Sequence, residues 1–121
     1  MEAKKILIVD DEENAREGLA KILKKTGYIT ATAENGEEAL SILENSRYDL
    51  VITDIKMPRM DGMQLLKKMR KIAPDIGVIM VTAYGEVESY LEAMSQGAFE
   101  YLNKPMKIDE LKKVINKVLQ S

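Results

Sequence analysis

Three carboxylates and two further polar residues stand at the ends of short apolar runs. Asp10 and Asp11 follow Ile6-Leu7-Ile8-Val9, Asp54 follows Leu50-Val51-Ile52-Thr53, Thr82 follows Val78 to Val81, and Lys104-Pro105 follows Phe99 to Leu102. Carboxylates brought together repel one another, and a hard cation such as Mg²⁺ between them relieves the repulsion. An oxygen-only metal site beside an aspartate suits phosphoryl transfer, with the carboxylate as covalent nucleophile and an acyl phosphate as product. That reaction needs in-line geometry and neutralised equatorial oxygens more than a proton-transfer catalyst. Mg²⁺ held by Asp11 and Asp54, with Asp10 supporting through water, would supply most of the positive charge. Lys104 would contact one phosphoryl oxygen as a point charge, and Thr82 would donate a hydrogen bond to another.

These residues converge only if the chain places its strand ends side by side. Five apolar, β-branched runs are expected as strands: Ile6 to Val9, Ile29 to Ala33, Leu50 to Thr53, Val78 to Val81 and Phe99 to Leu102. Three of them are continuous rather than alternating, the pattern of strands buried on both faces. Between and after them run helical stripes: Ala15, Leu19, Ile22 and Leu23; Ala39, Ile42 and Leu43; Leu65, Leu66, Met69 and Ile72; Val87, Tyr90, Leu91 and Met94; and Ile108, Leu111, Ile115, Val118 and Leu119. Gly27, Gly97 and Pro74 fall near expected helix ends, and Asn35-Gly36 opens the second helix. Strand–helix alternation implies a doubly wound α/β fold with helices on both faces of a parallel sheet. At 121 residues the natural solution is one domain, 1–121, a (βα)5 flavodoxin-like sandwich with strand order 2-1-3-4-5. That order makes strands 1, 3 and 4 neighbours, so their carboxyl ends open into one crevice.

Composition removes several chemistries. The chain has no cysteine and no histidine, which excludes disulfides, thiolate or imidazole metal sites and an internal phosphohistidine. Net charge is -2 with the signs interspersed, so no nucleic-acid-binding surface is expected. No apolar run approaches a membrane span, no signal peptide is recognisable, and a cytoplasmic location is the expectation.

Taken singly, each polar residue has a plainer reading. Asp11 would serve as the N-cap of the first helix, Asp54 as a turn residue, Thr82 as a structural hydroxyl and Lys104 as a solvated lysine. Their conjunction at the right strand ends favours a site.

The motifs carry a resemblance. Ile6 to Glu12, Asp54-Ile55-Lys56-Met57-Pro58-Arg59-Met60-Asp61-Gly62, Val81-Thr82-Ala83-Tyr84-Gly85, Gly97-Ala98 and Tyr101-Leu102-Asn103-Lys104-Pro105 together resemble the CheY-like receiver domain of two-component response regulators, over the whole chain. The resemblance implies that Asp54 accepts a phosphoryl group from a histidine kinase or a histidine phosphotransfer protein. It also implies that the backbone carbonyl of Lys56 joins Asp11 and Asp54 around Mg²⁺, that Mn²⁺ substitutes, and that the Lys104–Pro105 peptide is cis. Thr82 and Tyr101 correspond to the family's switch pair: the hydroxyl moves toward the phosphoryl group and the ring turns inward behind it. The face of the fourth helix, fifth strand and fifth helix would then signal to a downstream effector or form a phosphorylation-dependent homodimer. Tyr84, Tyr90 and Tyr101 lie near that face, and core packing is the expectation for Tyr90.

Lys56 and Tyr84, each two residues past a site residue, are expected to shield the acyl phosphate and prolong its lifetime. The pairing resembles stand-alone phosphorelay receivers, whereas the segments around Thr82 and Lys104 also resemble receivers attached to σ54-dependent activators. A rival reading is a Mg²⁺-dependent phosphatase of the haloacid-dehalogenase type. Those enzymes carry Asp-x-Asp at the first strand end, whereas here the acceptor follows the third run and position 56 is Lys. A flavin- or nucleotide-binding module lacks its motifs: no Gly-x-Gly-x-x-Gly and no Walker sequence occurs.

Overall fold

A computed structural model describes residues 3–83 and 87–120. Five strands alternate with five helices: β1 (Lys5–Val9), α1 (Glu13–Thr26), β2 (Ile29–Ala33), α2 (Gly36–Asn45), β3 (Leu50–Asp54), α3 (Gly62–Ile72), β4 (Gly77–Thr82), α4 (Val87–Ser95), β5 (Glu100–Asn103) and α5 (Ile108–Leu119). The strands form one parallel sheet in the order β2-β1-β3-β4-β5. Among the described residues no helix is long and apolar enough to cross a membrane.

The sheet is buried on both sides because successive side chains alternate between faces. Ile6 and Ile8 of β1 join Ala20 and Leu23 of α1 and Leu111, Ile115 and Val118 of α5 in one core. Leu7 and Val9 face the other way, into a core shared with Ala39 and Leu43 of α2, Leu65, Leu66 and Met69 of α3 and Ala93 of α4. Central strands β1, β3 and β4 are therefore apolar almost throughout, whereas β2, at the edge, is largely half-exposed.

Three helical stripes differ from expectation. In α1 the buried residues are Arg16, Ala20 and Leu23, while Ala15 is exposed and Ile22 is exposed by 38%. In α4 Ala93 is buried, but Tyr90 and Leu91 are exposed by 43% and 59%. Core packing of Tyr90 is thus overturned, although its ring meets Tyr101 edge-on at 5.5 Å between centroids. Ile72, at the end of the α3 stripe, is also largely exposed. In each case apolar residues span a wider arc than the sheet can cover.

The helix ends are set locally. Gly27 takes φ 115° and closes α1 by donating to the carbonyls of Leu23 and Lys24. Asp61 and Gln64 form a reciprocal cap at the start of α3: Asp61 accepts from the Gln64 backbone N–H at 2.9 Å, and Gln64 accepts from the Asp61 N–H at 3.1 Å. This cap draws the first residue of α3 against the end of β3. The Gly62 N–H donates to the Ile55 carbonyl at 2.8 Å, and a Cβ on Gly62 would overlap the Asp54 carbonyl oxygen. Gly62→Ala should therefore destabilise the fold by about 1–3 kcal/mol, read as a lower urea midpoint at unchanged m-value; an unchanged midpoint would refute the close-packing argument.

Candidate functional site

Parallel register delivers the polar residues to one edge. Val9 pairs with Thr53, and Asp54 pairs with Val81, so the chain positions following β1, β3 and β4 lie side by side. Thr82 pairs with Asn103, which places Lys104 beyond it. The Lys104 N–H donates to the Thr82 carbonyl at 2.8 Å, and the Lys104–Pro105 peptide is cis.

Asp10 is 7% exposed and uses every polar atom. Its backbone N–H reaches the Ala33 carbonyl at 3.2 Å, and its Oδ1 accepts from the Glu12 N–H at 2.9 Å. Its Oδ2 accepts from the Lys104 ammonium at 3.0 Å. The same ammonium donates to Asp54 Oδ2 at 2.8 Å, so Lys104 bridges two carboxylates. Asp54 Oδ1 accepts from the Lys56 N–H at 3.2 Å, and Thr53 Oγ1 donates to the Asp54 carbonyl at 2.9 Å. Burial alone would favour the neutral amine of Lys104, but the hydrogen bonds and charges of Asp54 and Asp10 outweigh it and hold its pKa above the ordinary lysine value.

One carboxylate oxygen from each of Asp10, Asp11 and Asp54 lies within 4.8 Å of the others. Asp10 is buried, Asp54 half-buried and Asp11 exposed. The donor set is entirely oxygen, open on the Asp11 side, and carries a residual negative charge beyond what one ammonium offsets. That chemistry fits a hard dication that keeps several waters.

The plainer reading of Asp11 as the N-cap of α1 does not hold. Glu12, not Asp11, caps α1: its carboxylate accepts from the Asn14 N–H at 3.2 Å and the Ala15 N–H at 2.6 Å. Asp11 is thereby released from capping. Thr82 is fully buried at the end of β4. Tyr101 is 8% exposed, and its hydroxyl is buried without a hydrogen-bond partner among the described residues. Tyr84, expected to flank the site, lies outside the described residues. One participant was not legible in the sequence: Arg16, 7% exposed, whose Nη1 donates to the Asp10 carbonyl at 3.0 Å. Its only sequence signal is a cation interrupting the buried face of an amphipathic helix.

The sequence profile described as the response regulator receiver domain matches residues 6–116. The chain belongs to the response regulator receiver family. Phosphorylation on an aspartate is the function of this family of signalling domains, and receiver domains bind Mg²⁺ at an acidic cluster of aspartates. They work in two-component systems, which implies a histidine kinase or phosphotransfer protein as partner, and effector domains.

The receiver is 44% identical over 116 residues to Regulatory protein AtoC of Escherichia coli, covering 96% of this chain and 25% of that protein. It is 44% identical over 115 residues to Sporulation initiation phosphotransferase F of Bacillus subtilis, covering 95% of this chain and 93% of that one. It thus spans a quarter of one relative and nearly all of the other. Among solved structures, Thermotoga maritima TrrA in complex with Mg²⁺-BeF superposes with a TM-score of 0.87 at 45% identity, covering 96% of this chain and 99% of that one. A receiver domain protein from Methanospirillum hungatei superposes with a TM-score of 0.92 at 36% identity, covering 98% and 96%. The doubly wound fold expected from the sequence is that of these structures.

The bridging ammonium should matter most when no divalent cation is present. In chelator, Lys104→Met should lower stability by about 1–2 kcal/mol, less than a fully buried pair because Lys104 retains solvent contact. Urea unfolding measures this, and wild-type stability of the variant would show that the two carboxylates need no cation.

Proposed function

We propose that Asp54 is the phosphoacceptor of a signalling switch formed by residues 1–121 as a single receiver domain. The observation that carries this reading is the convergence on Asp54 of Lys104, at 2.8 Å, and of the Asp10 and Asp11 carboxylates, at metal-sharing distance. Asp54 ends a central strand and is half-buried, so a donor reaches it from the open edge while the sheet holds it in place.

Asp11, Asp54 and the Lys56 backbone carbonyl would hold Mg²⁺, with Asp10 supporting through water; Mn²⁺, also a hard oxygen-seeking dication, would substitute. When bound, the ion neutralises charge on the phosphoryl oxygens. An Asp54 carboxylate oxygen forms the new bond to phosphorus as the P–N bond of the donor phosphohistidine breaks and its electron pair returns to the imidazole. Lys104 exchanges one of its two carboxylate contacts for a phosphoryl oxygen, and Thr82 donates to another. A phosphoryl group adds a charge of roughly -1.5 to -2 and three acceptor oxygens. Its differential contacts with two conformations then shift their populations, through Thr82 and the buried ring of Tyr101.

The output face comprises α4, β5 and α5, where Tyr90 and Leu91 stand exposed. It serves a downstream effector or a phosphorylation-dependent homodimer, with a histidine kinase or histidine phosphotransfer protein as donor in the cytoplasm. The relatives support either a stand-alone relay receiver or one attached to a DNA-binding regulator; this domain itself contacts neither nucleic acid nor membrane. It is a phosphoacceptor that assists its own transfer and hydrolysis rather than an enzyme acting on other substrates.

Incubation with acetyl phosphate and Mg²⁺ should add one phosphoryl group per chain, seen by intact mass, and Asp54→Ala should abolish it while only weakening Mg²⁺ binding. Full phosphorylation of the variant would overturn the assignment, and sustained turnover of acetyl phosphate without a phosphoprotein would favour the dehalogenase-type phosphatase. Lys56 and Tyr84 shield the acyl phosphate from water. The Lys56→Ala, Tyr84→Ala double variant should hydrolyse it faster, and an unchanged half-life would remove that role.

A further inference from the structure

The carbonyl of Asp10 lies one step beyond the sheet. Val9 is the last residue of β1 in register with Ala33 on one side and Thr53 on the other. The Asp10 N–H still reaches Ala33, but its buried carbonyl needs a donor from elsewhere. Arg16 supplies it through Nη1 at 3.0 Å.

That position is costly for an arginine. The guanidinium is almost wholly buried and sits toward the N-terminal end of α1, where the helix dipole disfavours a cation. Glu17 Oε2 compensates at 3.1 Å from Nε, and Glu34 Oε1 lies 3.9 Å from Nη2. None of these contacts is to a carboxylate of the acidic site. The link runs through the main chain instead. A peptide unit is planar, so fixing the Asp10 carbonyl also fixes the Asp11 nitrogen and the direction in which the chain enters Asp11.

We infer that Arg16 is a positioning residue for the metal site: it stands in for the missing strand neighbour of Asp10 and, through the Asp10–Asp11 peptide, aims the Asp11 carboxylate at the ion. The inference rests on the reading that Asp11 holds Mg²⁺. It has a sign opposite to simple electrostatics. Removing a cation near a dication site should tighten Mg²⁺ binding if only charge matters, whereas removing a positioning group should weaken it.

Calorimetric Mg²⁺ titration of the unphosphorylated receiver at fixed ionic strength decides between them. Arg16→Ala should weaken Mg²⁺ binding by about 10-fold, with the backbone amide resonances of Asp11 and Glu12 displaced in the metal-free protein. Arg16→Lys, which keeps one donor, should recover part of the affinity, and Glu17→Gln with Glu34→Gln, which leaves the carbonyl contact intact, should not weaken it. Should Arg16→Ala fail to fold, Arg16→Lys against Arg16→Met carries the comparison, with tighter binding expected for lysine. Unchanged or tighter binding by Arg16→Ala, or equal affinities for the lysine and methionine variants, would overturn the inference. Asp11→Asn separates it from its premise. Loss of Mg²⁺ binding there with wild-type affinity in Arg16→Ala sinks the positioning role alone, while retained binding in Asp11→Asn sinks the Asp11 assignment and the inference with it.

Discussion

Like-charge repulsion at the carboxyl edge of the sheet is the constraint around which this molecule is arranged. Oxygens of Asp10, Asp11 and Asp54 lie within 4.8 Å of one another. At an effective dielectric near 20, each such pair of charges costs on the order of 3 kcal/mol. Without cations the cluster would be driven apart. The Lys104 ammonium, bonded to Asp10 and Asp54 at once, offsets part of that cost, and its raised pKa is the reciprocal sign of the same attraction. One ammonium cannot neutralise three carboxylates, and the remaining negative charge suits a divalent cation.

Holding charges that close requires a scaffold that does not yield. The continuous apolar strands β1, β3 and β4 are packed on both faces by helices, which makes the carboxyl edge a rigid shelf. Gly62, pressed against the Asp54 carbonyl, and the reciprocal Asp61–Gln64 cap bring α3 directly against the end of β3. Glu12 takes over the capping of α1, leaving Asp11 exposed and uncommitted.

Much of this was legible in the chain. Continuous β-branched runs separated by helical stripes implied a parallel sheet, and the sheet implied that the residues after Val9, Thr53, Val81 and Leu102 would meet. The misread helical stripes share one physical cause. Ala15, Ile22, Tyr90 and Leu91 fit an apolar helical period, but periodicity reports composition around a helix and not which arc meets the sheet. Asp and Glu both accept helix N–H groups, so residue type left the capping of α1 open between Asp11 and Glu12, and backbone geometry gives it to Glu12. Arg16 interrupts the buried face of its helix, but nothing in its sequence neighbours announces a buried carbonyl six residues earlier.

By itself the sequence determined the order of elements, the two-sided burial of the central strands and the identity of the charged groups at their ends, because these follow from local pattern and side-chain chemistry. Tertiary structure decided how the charges are shared: that Lys104 bridges Asp10 and Asp54, that Thr82 is fully buried, that the Tyr101 hydroxyl is buried without a hydrogen-bond partner among the described residues, and that Arg16 rather than a strand satisfies the Asp10 carbonyl. Those outcomes depend on distances between segments as far as 94 residues apart in the chain. Such distances are set by the packing of the whole sheet and its helices, which no local pattern encodes.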